Sequence, residues 1–294
     1  MSEDETAVPA VGFVGLGNIG GPMATRLIGS GVALTVYDVS ENAVARMAEK
    51  GAAGAKSLGD LARSCSVIFL SLPGPSEVEK VVAGPDGILA NAKRGTIVVD
   101  LTTNSVDTVR AMRDLASEKG IEFLDAPVSG GVIGARKGTL AVMIGGPAAA
   151  IDKITPYVKS FGENIFRVGD VGAGTVAKLV NNQIVMAASI VVQEALTMAK
   201  KAGIEESVIV DILNKSSAKA YAGMIPLFLA REFDKVAFKL SLASKDVDVA
   251  LMSAKSLGVD MPTTTAASAV YHKALAAGLG DKAFYATLSM IEKS

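Results

Sequence analysis

Short apolar runs alternate with stretches of helical periodicity over the first half of the chain. The runs predict buried strands at 11–14, 32–37, 66–72, 96–101, 121–126, 140–144 and 165–168. Several of them are apolar at almost every position, which is typical of parallel strands that are covered on both faces. The alternation therefore predicts a doubly wound α/β domain with a mostly parallel sheet.

The strand pattern stops near residue 170, and only helical periodicity follows. An unbroken stretch running to Ala202 predicts a helix of about 28 residues, about 40 Å long, which Gly203 would end. This helix is apolar on nearly every side, so we expect it to be buried. Further helices are predicted at 205–213, 224–229, 240–257, 263–275 and 284–291.

These patterns predict a mobile tail over 1–9, an α/β domain over 10–169 and an all-α domain over 170–294, joined by the long helix. The tail is acidic and polar, which is not typical of a signal or transit peptide. No run reaches about 18 apolar residues, so no membrane span is expected.

Composition narrows the range of functions. The chain has 294 residues, of which half are hydrophobic, and its 29 basic and 30 acidic residues give a net charge of −1. This balance does not favour a nucleic-acid or membrane-surface partner. A single cysteine, Cys65, and a single histidine, His272, argue against a disulfide framework, a metal site and a Ser-His-Asp triad. We expect a soluble cytoplasmic protein without a metal.

A glycine motif follows the first strand and opens a helix: Gly15-Leu16-Gly17-Asn18-Ile19-Gly20. The first glycine allows a tight turn, the second lets the backbone approach a pyrophosphate, and the third lets the helix pack on the strand. The amino end of the helix would then face the phosphates. The motif predicts a Rossmann-like dinucleotide site.

Asp38 ends the second predicted strand, about 20 residues beyond the glycines. A carboxylate there binds both ribose hydroxyls of NAD and repels the additional phosphate of NADP, so NAD is favoured and NADP is the less favoured alternative. Asp38 could instead cap the helix that begins near Glu41, although Ser40 could do the same.

Three further residues lie at the carboxyl ends of predicted strands, where such sheets bind ligands. Leu72, Pro73 and Thr103 are therefore candidate cofactor contacts, although a turn alone would explain the Pro-Gly-Pro sequence at 73–75. The segment DAPVSGG at 125–131 also follows a strand. Its Ser129, Gly130 and Gly131 offer a hydroxyl and backbone N–H groups to an anion, although the segment could equally be an ordinary turn.

Lys178 lies within the long apolar helix, with Asn182 four residues later on the same face. Burial lowers the pKa of a lysine toward values that suit proton transfer, and an adjacent amide suits a polar substrate. The alternative is that Lys178 lies near the helix start and extends its amine to water.

Four segments together resemble the β-hydroxyacid dehydrogenase family, which includes 3-hydroxyisobutyrate dehydrogenase, tartronate semialdehyde reductase and the longer 6-phosphogluconate dehydrogenase. They are FVGLGNIGGPMA at 13–24, DAPVSGG at 125–131, GAGTVAKLVNNQ at 172–183 and KDVDVA at 245–250. The resemblance covers essentially the whole chain in order. It implies a Rossmann-like domain, a helical domain and a homodimer or homotetramer.

The resemblance also implies roles for individual residues. Lys178 matches the family's catalytic lysine, and Asn182 matches an amide that binds the substrate. The 129–131 segment matches the loop that binds the substrate carboxylate. Thr103 and Lys245 match positions near the nicotinamide. By itself, the charged segment around Lys245 would be a solvated face. Two departures are visible: Ile19 stands where the family often has Met, and the segment at 132–138, taken as a basic loop, varies in the family and leaves substrate choice open.

We therefore predict an NAD-dependent oxidoreductase that interconverts a small 3-hydroxy acid and its semialdehyde or ketone, with Lys178 as general acid and base. One alternative is an NADPH-dependent reductase of semialdehydes, such as tartronate or succinic semialdehyde, or of imines. Another is a nucleotide-binding sensor without catalysis, which would not need Lys178, Asn182 and the 129–131 segment together.

Overall fold

The computed structural model describes residues 10–293, so the predicted tail at 1–9 lies outside the described residues. The chain forms two compact units, 1–178 and 179–294. The first contains the strands and the second is helical.

The described residues form one nine-stranded, mostly parallel sheet in the order β3-β2-β1-β4-β5-β6-β8-β7, with β9 beside β8. Within this sheet of the described residues, only the pairings of β8 with β6 and β7 are antiparallel. The predicted doubly wound fold is confirmed. The strands are β1 Val11–Val14, β2 Leu34–Tyr37, β3 Ala53–Gly54, β4 Val67–Leu70, β5 Ile97–Asp100, β6 Glu122–Asp125, β7 Val128–Ser129, β8 Leu140–Gly145 and β9 Gly162–Gly169.

Successive side chains of the central strands enter two separate cores, one on each face of the sheet. Phe69 and Val99 belong to one core, whereas Ile68 and Val98 belong to the other. This alternation follows from the two-residue repeat of a strand. Both faces are apolar because helices cover both: α1 Gly20–Gly29, α2 Glu41–Ala48, α3 Leu58–Ser64, α4 Pro75–Ala83, α5 Ile88–Asn91, α6 Val106–Glu118, α7 Gly131–Lys137 and α8 Ala148–Val158.

The long helix, α9, spans Ala173–Lys201 and has 29 residues, close to the prediction. Gly203 follows with a φ of +79°, the left-handed geometry that suits a glycine after a helix. The expectation that α9 is buried all round is wrong, since four of its apolar side chains are at least half exposed: Val180, Ile184, Val191 and Met198. By length and hydropathy α9 could also cross a membrane, a test that core helices of soluble proteins also pass.

The remaining helices of the second unit pack around two apolar cores. A buried polar chain links α9 to the end of the unit: Thr287 donates to Gln193, whose amide donates to Ser189. The predicted helix at 284–291 is a 3₁₀ turn followed by a short helix. The elements are α10 Glu206–Lys215, α11 Ile225–Ala230, α12 Leu240–Ser256, α13 Pro262–Ala276 and α14 Leu288–Ile291, with 3₁₀ turns at Ser217–Met224 and Phe284–Thr287.

Candidate active site

The glycine motif forms the turn between β1 and α1. Gly15 has a φ of +91°, and a Cβ there would collide with the carbonyl of Ser71; a Cβ at Gly20 would collide with the carbonyl of Gly15. A Cβ at Gly17 would meet nothing within 4 Å. The first and third glycines are therefore needed by the turn itself, and the second leaves open backbone that a pyrophosphate can approach. These residues fit a bound dinucleotide.

Asp38 follows β2 and holds the glycine turn in place. Its Oδ2 accepts the N–H of Leu16 at 2.6 Å, and its Oδ1 accepts the N–H of Ser40 at 2.8 Å. The cap of α2 is Ser40, whose side chain accepts the N–H of Ala43. Each Asp38 oxygen keeps a second lone pair, so the carboxylate can still accept a ribose hydroxyl.

A cavity of about 500 Å³ lies beside this turn, lined by residues of α1, α2 and α7. Four cationic side chains border it: Arg26, Arg46, Lys50 and Arg136. Within residues 10–293, none of the four is in a salt bridge with a carboxylate. The cavity is therefore suited to an anionic ligand.

The loops after β4 and β5 are tied together. The N–H of Leu72 donates to the hydroxyl of Thr102 at 3.1 Å, while Asp100 accepts the N–H of Thr102 and the amide of Asn104. Burial, with a smaller contribution from Asp125, raises the pKa of Asp100 to about 6. Thr103 therefore lies in a loop fixed at both sides, and Pro73 directly follows Leu72.

The predicted anion-binding segment is partly strand and partly helix. Ser129 lies in β7, where it pairs with Ala141, and Gly130 and Gly131 have φ angles of +131° and +62°. The basic segment after them, predicted to be a loop, belongs to α7. The first N–H groups of a helix have no partner inside it, so the turn at 130–131 can still present donors to an anion.

Asp125, at the end of β6, holds the start of α9. Its Oδ1 accepts the N–H of Gly172 at 2.8 Å, and its Oδ2 accepts the N–H of Thr175 at 2.6 Å. The residue is 1 % exposed. Burial raises the pKa of this carboxyl, and the two N–H groups oppose that rise. Lys178 follows Thr175 by three residues and is 8 % exposed, unlike a lysine that extends into water.

In the second unit, Asp246 brings two predicted site residues together. The amide of Asn182 donates to its Oδ2 at 2.7 Å, and Lys245 Nζ is 2.8 Å from its Oδ1. The Asn182 carbonyl accepts the amide of Asn181. Asp246 and Ser244 are both buried, so the interpretation of this segment as a solvated face is wrong for these two residues.

Sequence reasoning missed Asp100, Asp125 and Asp246 as organising residues. Asp125 and Asp246 lie within the segments at 125–131 and 245–250, and Asp100 lies at the end of the predicted strand 96–101. For Asp100 and Asp125, a carboxylate at the end of a buried strand is the sequence feature that could have indicated this role. The described residues contain no group of three or more His, Cys, Asp or Glu side chains that could hold a metal ion.

Comparison with known proteins identifies the family. The profile described as the NAD binding domain of 6-phosphogluconate dehydrogenase matches residues 10–169. A second profile, described as NAD-binding of NADP-dependent 3-hydroxyisobutyrate dehydrogenase, matches residues 172–291. The chain belongs to the β-hydroxyacid dehydrogenase family.

Individual dehydrogenases of the family are similar to this chain over nearly their whole length. The 2-(hydroxymethyl)glutarate dehydrogenase of Eubacterium barkeri is 36% identical over 96% of this chain and 95% of its own. The 3-hydroxyisobutyrate dehydrogenase of Pseudomonas aeruginosa is 36% identical over 86% and 87%. A structure of Mycobacterium tuberculosis 3-hydroxyisobutyrate dehydrogenase with L-serine has a TM-score of 0.89 at 30% identity, covering 97% of this chain and 99% of that one.

This member of the β-hydroxyacid dehydrogenase family is an NAD-dependent hydroxyacid dehydrogenase. The predictions of the family, of the fold, of an enzyme and of NAD as cofactor are confirmed. Its substrate is a small molecule.

Proposed function

We propose that the enzyme interconverts a small 3-hydroxy acid and its semialdehyde, with Lys178 as general acid and base. The observation that carries the proposal is the burial of Lys178 near the start of α9. Asp125 bonds the start of this helix to β6, the strand that leads into the 129–131 segment. A buried lysine has few structural uses and is costly to retain without one.

The names of the similar proteins support one substrate class. 2-(Hydroxymethyl)glutarate, 3-hydroxyisobutyrate and L-serine all carry a hydroxymethyl group on the carbon that bears a carboxylate. We propose a substrate of this form, HO–CH2–CHR–COO⁻, in which R is small. The carboxylate then provides a fixed handle, and the primary alcohol is the group that is oxidised.

The bound nicotinamide supplies the hydride in reduction and accepts it in oxidation. Lys178 Nζ donates a proton to the carbonyl oxygen in reduction and takes the hydroxyl proton in oxidation. Ser129 and the backbone N–H groups of Gly130 and Gly131 hold the carboxylate. Asn182 has one amide hydrogen left after its bond to Asp246, and we assign that hydrogen to the substrate.

We assign the dinucleotide to residues that precede Lys178, together with one lysine of the second unit. The glycine turn would receive the pyrophosphate, Asp38 the adenosine ribose, and the loops after β4 and β5 the remainder of the cofactor. The cofactor-binding residues in this proposal are Gly15, Leu16, Gly17, Asn18, Ile19, Gly20, Asp38, Leu72, Pro73, Thr103 and Lys245.

The test is to follow NADH absorbance with the purified protein, NAD or NADP, and a panel of hydroxy acids with their oxidised partners. The panel contains 3-hydroxyisobutyrate, L-serine, glycerate, 4-hydroxybutyrate and threonate. We expect turnover with NAD and at least one hydroxymethyl acid, and little with 4-hydroxybutyrate, whose alcohol lies one carbon farther from the carboxylate. Tight NAD binding without turnover of any hydroxymethyl acid would contradict the proposal.

We also propose that the enzyme is a cytoplasmic homodimer or homotetramer. Three of the exposed apolar side chains of α9, Ile184, Val191 and Met198, are seven residues apart and form one stripe along the helix. A second copy of this chain presents the same stripe, so two stripes can pack around a two-fold axis. Light scattering behind size exclusion gives the mass, and a monomer at micromolar concentration would contradict the proposal.

A further inference from the structure

Two parts of the proposed site meet at one residue of the first unit. Asp125 is the last residue of β6, and the chain continues from it directly into the segment that ends at Ser129-Gly130-Gly131. Its side chain holds the N–H groups of Gly172 and Thr175, 47 and 50 residues farther along the chain. The backbone of Asp125 therefore leads to the carboxylate-binding segment, and its carboxylate holds the helix that carries Lys178.

The start of α9 lies directly against the strand ends, without space for a side chain between them. A Cβ at Gly145 would lie 2.5 Å from the Asp125 Oδ1 and 2.6 Å from the Asp170 carbonyl oxygen, and a Cβ at Gly174 would lie 2.8 Å from the Asp125 carbonyl oxygen. Both glycines thus bring backbone into close approach around Asp125. Because these contacts involve backbone atoms, which cannot move aside as a flexible side chain can, the packing resists small displacements of the helix start. The hydrogen bonds to the Asp125 carboxylate restrict its remaining motion relative to the strand ends.

The charge of Asp125 also matches its surroundings. The amino end of a helix carries partial positive charge on its unpaired N–H groups, and a carboxylate there is stabilised. Hydrogen bonds from N–H groups to an ionised acceptor are about twice as strong as neutral ones. A local serine or threonine would suffice to cap α9. A carboxylate from a distant strand achieves something further, since it fixes the helix relative to that strand.

We propose that Asp125 is a positioning residue for catalysis, which places the Lys178 amine relative to the carboxylate-binding segment. This inference rests on the proposed role of Lys178. A helix moves as a rigid body over one turn, so a displacement at Thr175 is transmitted to Lys178, three residues later. A misplacement of about 1 Å at a reacting group can reduce a rate about 100-fold.

The first experiment is steady-state kinetics of Asp125→Asn, which keeps the shape and one acceptor oxygen. We expect kcat to fall about 10- to 100-fold, while the KM of the hydroxy acid and the Kd of NAD change less than about threefold. The matched control is Asp152→Asn, an exposed aspartate paired with Arg167, which should leave kcat unchanged. Unchanged kcat in the folded Asp125→Asn protein, or a loss confined to KM, would overturn the inference.

The deciding experiment is a double-mutant cycle with Lys178→Ala. If Asp125 acts through Lys178, adding Asp125→Asn to Lys178→Ala lowers the residual kcat by less than about twofold. If the two losses multiply, Asp125 acts independently of Lys178 and the inference is wrong. Should Lys178→Ala alone leave kcat intact, the proposed function itself fails, so the two failures are distinguishable.

Thr175→Pro provides the same test from the helix side. The first turn of the helix itself needs no N–H at this position, and the proline ring carbon replaces the N–H that Asp125 accepts, so the carboxylate is separated from the helix start. We expect the same fall in kcat with little change in KM, and the same lack of a further loss in the Lys178→Ala background. This variant decides the question if Asp125→Asn is not recovered as folded protein. Wild-type kcat in folded Thr175→Pro would count against the inference.

Discussion

The two units differ in how completely each buries its own apolar surface. In the first, β1, β4 and β5 are buried along their whole length, and among its described residues only five large apolar side chains are exposed: Val39, Leu115, Ile133, Phe166 and Val168. The shorter second unit exposes fourteen among its described residues: Val180, Ile184, Val191, Met198, Ile204, Val208, Ile212, Tyr221, Leu227, Val236, Leu242, Met252, Leu257 and Val259.

This difference indicates different tasks. The first unit closes its own core, and its strand ends carry the polar residues to which we assign the cofactor and the positioning of Lys178. The second unit retains apolar helix faces that are costly to leave in water, and such faces mark association surfaces. In the proposed division of labour, the first unit carries the chemistry, and the second orients the substrate and associates with another copy.

The largest expected effect tests whether the chemistry lies in the first unit. Lys178→Ala should lower turnover about 10²- to 10⁴-fold, because it removes the proton donor and acceptor, while NAD affinity remains near that of the wild type. The control is Lys201→Ala, an exposed lysine at the other end of α9. Stopped-flow or steady-state NADH absorbance gives turnover, and calorimetry gives the NAD Kd. Near-normal turnover in Lys178→Ala would place the chemistry elsewhere.

The next effect concerns the polar strand ends of the first unit. Because burial raises the pKa of Asp100 from 3.8 to about 6, the unfolded chain loses this proton at a lower pH than the folded one. The contribution of Asp100 to the free energy of unfolding is therefore fully present below pH 3.8 and is lost as the pH rises to about 6. At about 1.4 kcal/mol per pH unit, the loss amounts to at most about 3 kcal/mol.

Asp100→Asn cannot titrate at this position, which makes it the reference. Urea unfolding at pH 4, 5, 6 and 7 should show the wild type losing stability relative to Asp100→Asn as the pH rises, with little further change above pH 7. The coupled carboxyl of Asp125 is present in both proteins, so its own titration largely cancels. Parallel stability curves for the two proteins would show that Asp100 is not perturbed by its burial.

A smaller effect is expected from the polar site of the second unit. Asp246→Asn places an amide where Asn182 and Lys245 now meet a carboxylate, so the Asn182 amide loses its fixed orientation. The loss of a charge-assisted hydrogen bond corresponds to about 10-fold in kcat/KM, mainly through KM. Asp248→Asn, on the same helix, is the matched control. A loss confined to kcat would assign Asp246 to the chemical step instead of substrate orientation.

The last prediction concerns the mass of the oligomer, and we expect it to involve the smallest change in activity. It is also the most direct test of the difference in exposed apolar surface between the two units. Ile184→Asp places a charge in the exposed stripe of α9 and should reduce the mass measured by light scattering to that of a smaller species. Leu115→Asp places the same charge on an exposed apolar position of the first unit and should leave the mass unchanged. If both variants have the same oligomeric mass, the exposed stripe of α9 does not mediate association.

The sequence predicts the first unit well because its signals are local. A strand buried on both faces is apolar along its whole length, and a glycine turn requires glycines at fixed spacing. Two strands escape detection, Ala53–Gly54 and Val128–Ser129, because two residues cannot display an alternation. The helix Gly131–Lys137 escapes because it begins with a glycine and contains another, Gly134, both of which disfavour helix.

The organising carboxylates could not be assigned from sequence because their partners are distant along the chain. Asp125 acts on residues 47 and 50 positions away, and Asp246 acts on Asn182, 64 positions away. The all-round burial of α9 was wrong for a related reason. An apolar helix face shows that the face needs a partner, whereas it does not show that the partner belongs to the same chain.

The continuity of α9 limits how this protein can be divided into modules. The boundary between the units, at 178 and 179, falls inside a helix of 29 residues, so a chain ending at Lys178 would keep only its first six residues. Since a helical segment that short is not stable by itself in water, only its contacts with Asp125 and the strand ends would hold it. Transplanting the first unit into another protein, or recombining it with a foreign second unit, therefore has to take the whole of α9. The smallest segment that can be transferred, the first unit with all of α9, is then longer than either compact unit alone.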